Sequence, residues 1–102
     1  MKHITVGITG ASGALYAQRL LHYLDKSPEV GRINLVLTAF GVTVIREELD
    51  LDVTGTKTSD VETLLGRTSE KIHLLPAKDI GASIASGSYR TDGMVVVPCS
   101  MG

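Results

Sequence analysis

The sequence has 102 residues, of which 43% are hydrophobic, enough for one domain with an apolar core. Ten basic and eleven acidic residues leave a formal net charge of -1, and no basic run indicates binding to nucleic acid or to an anionic membrane. The apolar stretches are too short to cross a bilayer, and one cysteine with three scattered histidines predicts neither a disulfide nor a metal site. We therefore expect a single cytoplasmic domain over residues 1–102.

Strand-like and helix-like patterns alternate along the chain. The predicted strands are residues 3–8, 32–38, 71–75 and 94–97. The predicted helices are residues 14–24, residues 41–49, a helix that Ser59 caps, and residues 78–85. Ser59 and Glu62 have the spacing of a capping box, in which each side chain bonds the backbone of the other residue.

This alternation predicts an α/β fold, a three-layer doubly wound parallel sheet with helices on both faces and right-handed crossovers. Ligands of such sheets bind beyond the carboxyl ends of the strands. The candidate positions are therefore those that follow the last residues of the four strands, namely Ile8, Leu37, Leu75 and Val97.

The turn Thr9-Gly10-Ala11-Ser12-Gly13 joins the first strand to the first helix. Unpaired N–H groups and the helix dipole attract an anion at such a place, so the turn predicts a phosphate site. Glycine lets the backbone approach the phosphate oxygens, and the Ser12 hydroxyl adds a hydrogen bond or caps the helix. A tight turn that binds nothing remains the alternative.

The glycine spacing also resembles that of some nicotinamide-dependent reductases. Those enzymes need an acidic residue, or an arginine for a ribose phosphate, near the end of the second strand. Here that strand ends in Leu37-Thr38-Ala39-Phe40, which offers one hydroxyl and no charge. A mononucleotide such as FMN fits this pattern better than NAD.

Two glutamates, Glu47 and Glu48, stand near the end of the second predicted helix. The negative end of a helix dipole disfavours negative charge there, so one of the pair is a candidate general acid or base. A solvated helix end is the alternative explanation.

Two further loops flank the fourth strand. Ser86-Gly87-Ser88 precedes it and Pro98-Cys99-Ser100-Met101-Gly102 follows it. Small hydroxyl residues and glycine at these places line a phosphate or flavin site, or form ordinary turns. We assign Cys99 no catalytic role, because no histidine partner is identifiable.

The opening GITGASGALYAQRLL, the segment ASGSYRTDGMVVVPCSMG and the glutamate pair between them resemble the UbiX-type flavin prenyltransferases. The resemblance runs from near the first residue to the last. It implies a flavin-binding domain that holds FMN at a subunit interface of a homo-oligomer. It also implies transfer of a dimethylallyl group from dimethylallyl phosphate to reduced FMN, and the prenylated FMN then serves a UbiD-type decarboxylase.

The same resemblance implies roles for individual residues. Glu48 and Ser12 would be catalytic, with Glu48 transferring protons as the new carbon bonds form. The FMN-binding residues would be Gly10, Ala11, Ser12, Thr38, Ser100, Met101 and Gly102. Ser86 and Gly87 would face the phosphate of the prenyl donor.

Members of that family are considerably longer, so we expect this chain to be the front part of a longer protein. Besides the nicotinamide-dependent reductase, two other functions stay open. One is an FMN-dependent decarboxylase of the phosphopantothenoylcysteine type, for which His73 is a tempting residue but which typically has a Ser-Ala-Asn-type element after the fourth strand. The other is a flavin-binding fragment without catalysis.

Overall fold

The computed structural model describes residues 2–8, 13–75 and 92–97. Its four strands are β1 (Lys2–Ile8), β2 (Val30–Leu37), β3 (Ile72–Leu75) and β4 (Gly93–Val97). They form one sheet in the order β3-β2-β1-β4, and their pairings are parallel. The predicted α/β fold with a parallel sheet is therefore confirmed.

Three helices lie in the described residues: α1 (Ala14–Lys26), α2 (Ala39–Leu49) and α3 (Ser59–Leu65). Each corresponds to a predicted helix, and the helix predicted over residues 78–85 lies outside the described residues. None of the three has the length and continuous apolar character that a membrane crossing requires.

The carboxyl ends of the strands lie level with one another. Ile8 at the end of β1 pairs with Leu37 on one side and with Val97 on the other. The chain moves outward from β1 to β2 and β3, and then returns to β4 on the opposite side of β1. The strand order therefore reverses between β1 and β4, and doubly wound sheets have their ligand crevice at such a reversal.

Strand β2 is covered on both faces. Its last five residues, from Ile33 to Leu37, are all buried, and successive residues of a strand point to opposite sides of the sheet. Its apolar run is thus typical of an interior strand in a parallel sheet.

Helix α1 packs on the sheet through small and aliphatic residues at helical spacing. Ala14, Ala17 and Leu21 are buried, which places one face of the helix against the core. Gln18 Nε2 donates a hydrogen bond of 2.8 Å to the carbonyl oxygen of Leu64, so α1 and α3 lie side by side. Right-handed crossovers place both on one face of the sheet.

Helix α2 lies along the carboxyl edge of the sheet and does not run back down its face. At its start, Thr38 N donates to Ile8 O at 3.1 Å. Near its end, Glu48 contacts Gly13, only five residues after Ile8 in the sequence. The following loop stays at the same edge, because a Cβ added to Gly55 would lie 3.6 Å from the carbonyl oxygen of Leu37.

The loop between α2 and α3 is held by a buried carboxylate. Asp60 is 2% exposed and accepts hydrogen bonds from Thr54 N and Oγ1 at 3.0 Å, from Gly55 N at 2.6 Å and from Lys57 N at 3.3 Å. Burial raises the pKa of this carboxyl, but these hydrogen bonds outweigh burial and leave the pKa below its ordinary 3.8. The ionised side chain therefore stabilises the folded loop.

The predicted capping box at the start of α3 is wrong. Ser59 is the first helical residue, and the N-cap residue Thr58 makes no side-chain capping hydrogen bond. Asp60, one residue further along, instead directs its carboxylate back to the preceding loop. The hydrogen bonds between Asp60 and that loop thus take the place of the local capping motif.

We expect Asp60→Asn to lower the free energy of unfolding at pH 7 by about 1–3 kcal/mol, because the loop amides lose a charged acceptor. The native pKa of Asp60 is lowered, so its contribution is complete above about pH 3.8 and is lost as the pH falls through the lowered value. Urea unfolding between pH 7 and pH 3 measures both effects. Exposed Asp52→Asn is the control, and equal effects of the two variants at pH 7 would contradict this role.

Candidate active site

Two of the predicted site residues, Glu48 and Thr38, lie in the described part of the chain. The others fall outside the described residues: Gly10, Ala11, Ser12, Ser86, Gly87, Ser100, Met101 and Gly102. The described part of the site therefore consists of the groups around Glu48 and Thr38.

Glu48 connects α2 to the beginning of α1. Its Oε1 atom accepts hydrogen bonds from the backbone N–H groups of Gly13 and Ala14, each at 2.9 Å. Both donors belong to the first turn of α1, where backbone N–H groups have no partner within the helix. Gly13, the N-cap residue, has no side chain for this purpose, so Glu48 supplies the cap from another helix.

The charge of Glu48 therefore interacts with two helix dipoles. The expectation from sequence considered only the negative end of α2, which disfavours a carboxylate. The structure adds the positive end of α1, and its two N–H groups hold the same carboxylate at hydrogen-bonding distance. The group is fixed in position by charge-assisted hydrogen bonds, which are stronger than hydrogen bonds between neutral groups.

This arrangement changes the interpretation of the anion site at the first turn. The sequence predicts that amides at the start of α1 bind a phosphate, and two of those amides instead bind the carboxylate of Glu48. A phosphate at this turn must therefore use other donors. The remaining predicted donors, in residues 9–12, lie outside the described residues.

Thr38 joins the carboxyl ends of β1 and β2. Its Oγ1 atom accepts a hydrogen bond of 3.1 Å from Gly41 N, which makes it the N-cap of α2. The same hydroxyl donates to the carbonyl oxygen of Ile8 at 3.3 Å. A hydroxyl has one donor and two acceptor positions, so it retains one acceptor position for a ligand.

Glu48 and Thr38 flank the predicted phosphate turn. Thr38 bonds to Ile8, the residue before the turn, and Glu48 bonds to Gly13 at its end. Both side chains therefore lie at the edge where the parallel sheet is expected to bind a ligand. Glu48 and neighbouring Glu47 are both exposed, but the Glu47 carboxylate has no hydrogen-bond partner among the described residues.

The acidic residues that follow α2 do not form a metal centre. Arg46, Asp50, Leu51 and Asp52 line an open surface pocket of about 430 Å³. Within the ranges that the structure describes, no three His, Cys, Asp or Glu side chains converge as ligands.

His73 lies away from the two glutamates, in the interior of β3, where it pairs in register with Asn34. Partial burial, followed by the positive charge of Arg32, lowers the pKa of its imidazole below 6.5. It precedes the end of β3 by two residues, so it does not extend the edge that carries Glu48 and Thr38.

Sequence reasoning missed two sets of hydrogen bonds at this edge, those to Glu48 and those to Asp60. Gly13 and Ala14 act through their backbone N–H groups on a glutamate about 35 residues away in the sequence, which no local pattern indicates. Asp60 positions the loop after α2, and its only signal was an acidic residue following a polar stretch.

Comparison with known protein families identifies the family to which this chain belongs. A family model described as Flavoprotein matches residues 1–102. The chain belongs to the Flavoprotein family. The match covers the described residues and also the predicted loops on either side of β4.

The most similar relatives considered are bacterial flavin prenyltransferases. The chain is 45% identical over 101 residues to the flavin prenyltransferase UbiX of Alkalihalophilus pseudofirmus, covering 99% of this chain and 49% of that protein. It is 43% identical to the flavin prenyltransferase LpdB of Lactiplantibacillus plantarum. That match covers 99% of this chain and 48% of LpdB. The chain thus spans about half the length of the curated relatives that it matches.

Solved structures show the same kinship. The crystal structure of AnUbiX in complex with FMN and dimethylallyl pyrophosphate aligns with a TM-score of 0.65 at 33% identity, covering 98% of this chain and 46% of that one. A dodecameric FMN-dependent UbiX-like decarboxylase from Escherichia coli O157:H7 also aligns with a TM-score of 0.65, at 38% identity. That alignment covers 97% of this chain and 47% of the decarboxylase chain. The resemblance to UbiX-type flavoproteins predicted from the sequence is therefore confirmed.

We expect Thr38→Val to lower the free energy of unfolding by about 0.5–2 kcal/mol, because valine has the same shape but cannot cap α2. Thr38→Ser retains the hydroxyl and is the matched control, with a smaller loss. Thermal and urea unfolding of the ligand-free protein measure both variants. Equal losses for valine and serine would show that the hydroxyl contributes nothing to this edge.

Proposed function

We propose that the protein carrying this chain is a flavin prenyltransferase, which transfers a dimethylallyl group from dimethylallyl phosphate to reduced FMN. Prenylated FMN would then pass to a UbiD-type decarboxylase. The observation that carries this proposal is the position of Glu48, which two amides of α1 hold at the carboxyl edge of the sheet. Identities of 40–45% to flavin prenyltransferases, with shares of this chain between 96% and 99%, support it.

The proposed reaction breaks the bond between the dimethylallyl carbon and its phosphate oxygen. One new bond from the prenyl group to the flavin replaces the broken C–O bond, a second uses the prenyl double bond, and phosphate leaves with the electron pair of the C–O bond. Reduced FMN, when bound, supplies the electron-rich ring that accepts the prenyl group. A carbon–carbon bond to a ring carbon displaces a proton, so a fixed carboxylate near the flavin would assist the reaction.

Glu48 is suited to that proton transfer, because its position is fixed before any ligand binds. A carboxylate held by two backbone donors loses little freedom during the reaction, which is the advantage of a preorganised group. Ser12 is proposed as the second catalytic residue, and in the sequence it lies between Ile8, which bonds to Thr38, and Gly13, which bonds to Glu48.

Of the residues proposed to hold FMN, Thr38 lies in the described part of this edge. Thr38 fits the role, because its hydroxyl keeps one acceptor position for a flavin donor group after capping α2. Since Gly13 and Ala14 already bond to Glu48, we propose that the FMN phosphate uses other groups. These groups are Gly10, Ala11 and Ser12 in the first turn, and Ser100, Met101 and Gly102 after β4. Ser86 and Gly87 are proposed to contact the prenyl phosphate.

We also propose that the protein is a cytoplasmic homo-oligomer. The Escherichia coli structural neighbour is dodecameric. Large apolar side chains of this chain are exposed on its helices, with Tyr16 and Tyr23 each 72% exposed and Phe40 77% exposed. Contacts between copies would cover such side chains.

The direct test incubates the purified protein with reduced FMN and dimethylallyl phosphate under anaerobic conditions. We expect mass spectrometry to detect flavin enlarged by one prenyl unit, and no such product when the donor is left out. Unchanged flavin that stays bound to the protein would indicate a flavin carrier instead. Flavin that neither binds nor changes would overturn the proposal.

We expect Glu48→Gln to slow formation of the prenylated flavin by about 100-fold or more, the usual loss when a general acid or base is removed. Glutamine is isosteric and can still accept a hydrogen bond from the first turn of α1, so FMN should bind with a similar Kd. Glu47→Gln is the matched control on the adjacent exposed position. Equal rates for the two variants would contradict a catalytic role for Glu48.

A further inference from the structure

We infer that Gly13 is a positioning residue for Glu48, an inference that rests on the proposed function. Gly13 is the N-cap of α1 and has φ 108° and ψ 29°, a left-handed conformation that L side chains rarely adopt. Its N–H and that of Ala14 donate to one oxygen, Glu48 Oε1, at equal distances of 2.9 Å.

The convergence of these two N–H groups depends on the backbone angles of Gly13. They stand on either side of its Cα atom, so φ and ψ of this one residue set the angle between them. A left-handed residue followed by a helical one turns successive N–H groups toward a common point, which forms an anion-binding concavity. In this chain the anion bound there is the carboxylate of Glu48.

Glycine is required because a Cβ would oppose this conformation. An alanine at position 13 is strained at φ 108° and relieves the strain by rotating toward negative φ. That rotation would separate the two N–H groups and release the Glu48 carboxylate. Gly13 would thus act on the reaction through Glu48, without touching the flavin itself.

The structure offers a matched control at Gly66, the C-cap residue of α3. Gly66 also has a left-handed backbone, with φ 81°, and a Cβ added there would meet nothing within 4 Å. Its N–H donates to Glu62 O within α3. Gly66→Ala therefore introduces comparable backbone strain without disturbing Glu48.

The experiment compares Gly13→Ala with Gly66→Ala, each with and without Glu48→Gln. We expect Gly13→Ala to lower kcat for flavin prenylation at least tenfold and to leave KM for FMN within threefold. Adding it to Glu48→Gln should then lower kcat little further, as expected for residues that act through one group. Gly66→Ala should leave kcat within twofold in both backgrounds.

Gly13→Asn provides a conservative variant, because asparagine tolerates positive φ better than alanine. Its kcat should fall between those of the glycine and alanine proteins. If Gly13→Ala does not fold, Gly13→Asn tests the inference on its own, because its kcat should be below that of Gly66→Ala. Equal kcat values for Gly13→Ala and Gly66→Ala, or equal losses from Gly13→Ala in both backgrounds, would overturn it.

A measurement without ligand separates this inference from the proposed function. The unfolding equilibrium of the ligand-free protein is measured for Gly13→Ala, Gly66→Ala and Glu48→Ala, and for each glycine variant combined with Glu48→Ala, which leaves the two amides without their acceptor. We expect the effects of Gly13→Ala and Glu48→Ala to be non-additive by about tenfold in the equilibrium constant, and those of Gly66→Ala and Glu48→Ala to be additive. If no flavin is prenylated but this coupling is present, the proposed function is contradicted, and the contact between Gly13 and Glu48 is supported. Additive effects would overturn the inference whatever the enzyme does.

Discussion

The contact between the Glu48 carboxylate and the first turn of α1 organises the candidate site. It joins α2 to α1 across the edge where the carboxyl ends of the strands meet. Without it, the first N–H groups of α1 would need another anion, and α2 would have no polar link to α1 near its end. The contact therefore fixes the end of one helix and a candidate catalytic group at the same time.

Other features support this contact from both ends of α2. Thr38 caps the beginning of the helix and bonds to Ile8, so that the helix starts at the sheet edge. Asp60 holds the loop that follows, and this loop returns to the end of β2. Because the helix is tied down at both ends, Glu48 has a defined place relative to the turn after β1. Such preorganisation is what proton transfer to or from a bound ligand requires.

Local sequence patterns were sufficient for the four strands, the three described helices and the parallel sheet. The β-branched residues of β1 and the apolar run of β2 fit interior strands, and the spacing of Ala14, Ala17 and Leu21 fits a helix with one buried face. The ligand edge followed from topology, which placed Thr38 among the candidates. Glu48 was preferred to Glu47 through a family resemblance, and the structure adds that only Glu48 bonds to the start of α1 among the described residues.

The partners of Glu48 and Asp60 could not be predicted, because they depend on tertiary structure. The capping box at Ser59 failed for this reason: the helix start is determined by a loop that packs against β2, and Asp60 serves that loop. Likewise, a helix dipole argument confined to α2 omitted the opposite pole of α1. The Glu48 contacts span 35 and 34 residues and the Asp60 contacts lie in an irregular loop, so neither set leaves a trace in a periodic pattern.

The most direct test of the central contact is an NMR measurement of the Gly13 and Ala14 amides in the ligand-free protein. Comparison of the natural protein with Glu48→Ala should show both amide protons moving upfield and exchanging faster with solvent, while the Gly66 amide stays unchanged. Gly13 and Ala14 resonances that are insensitive to the loss of the carboxylate would contradict the account.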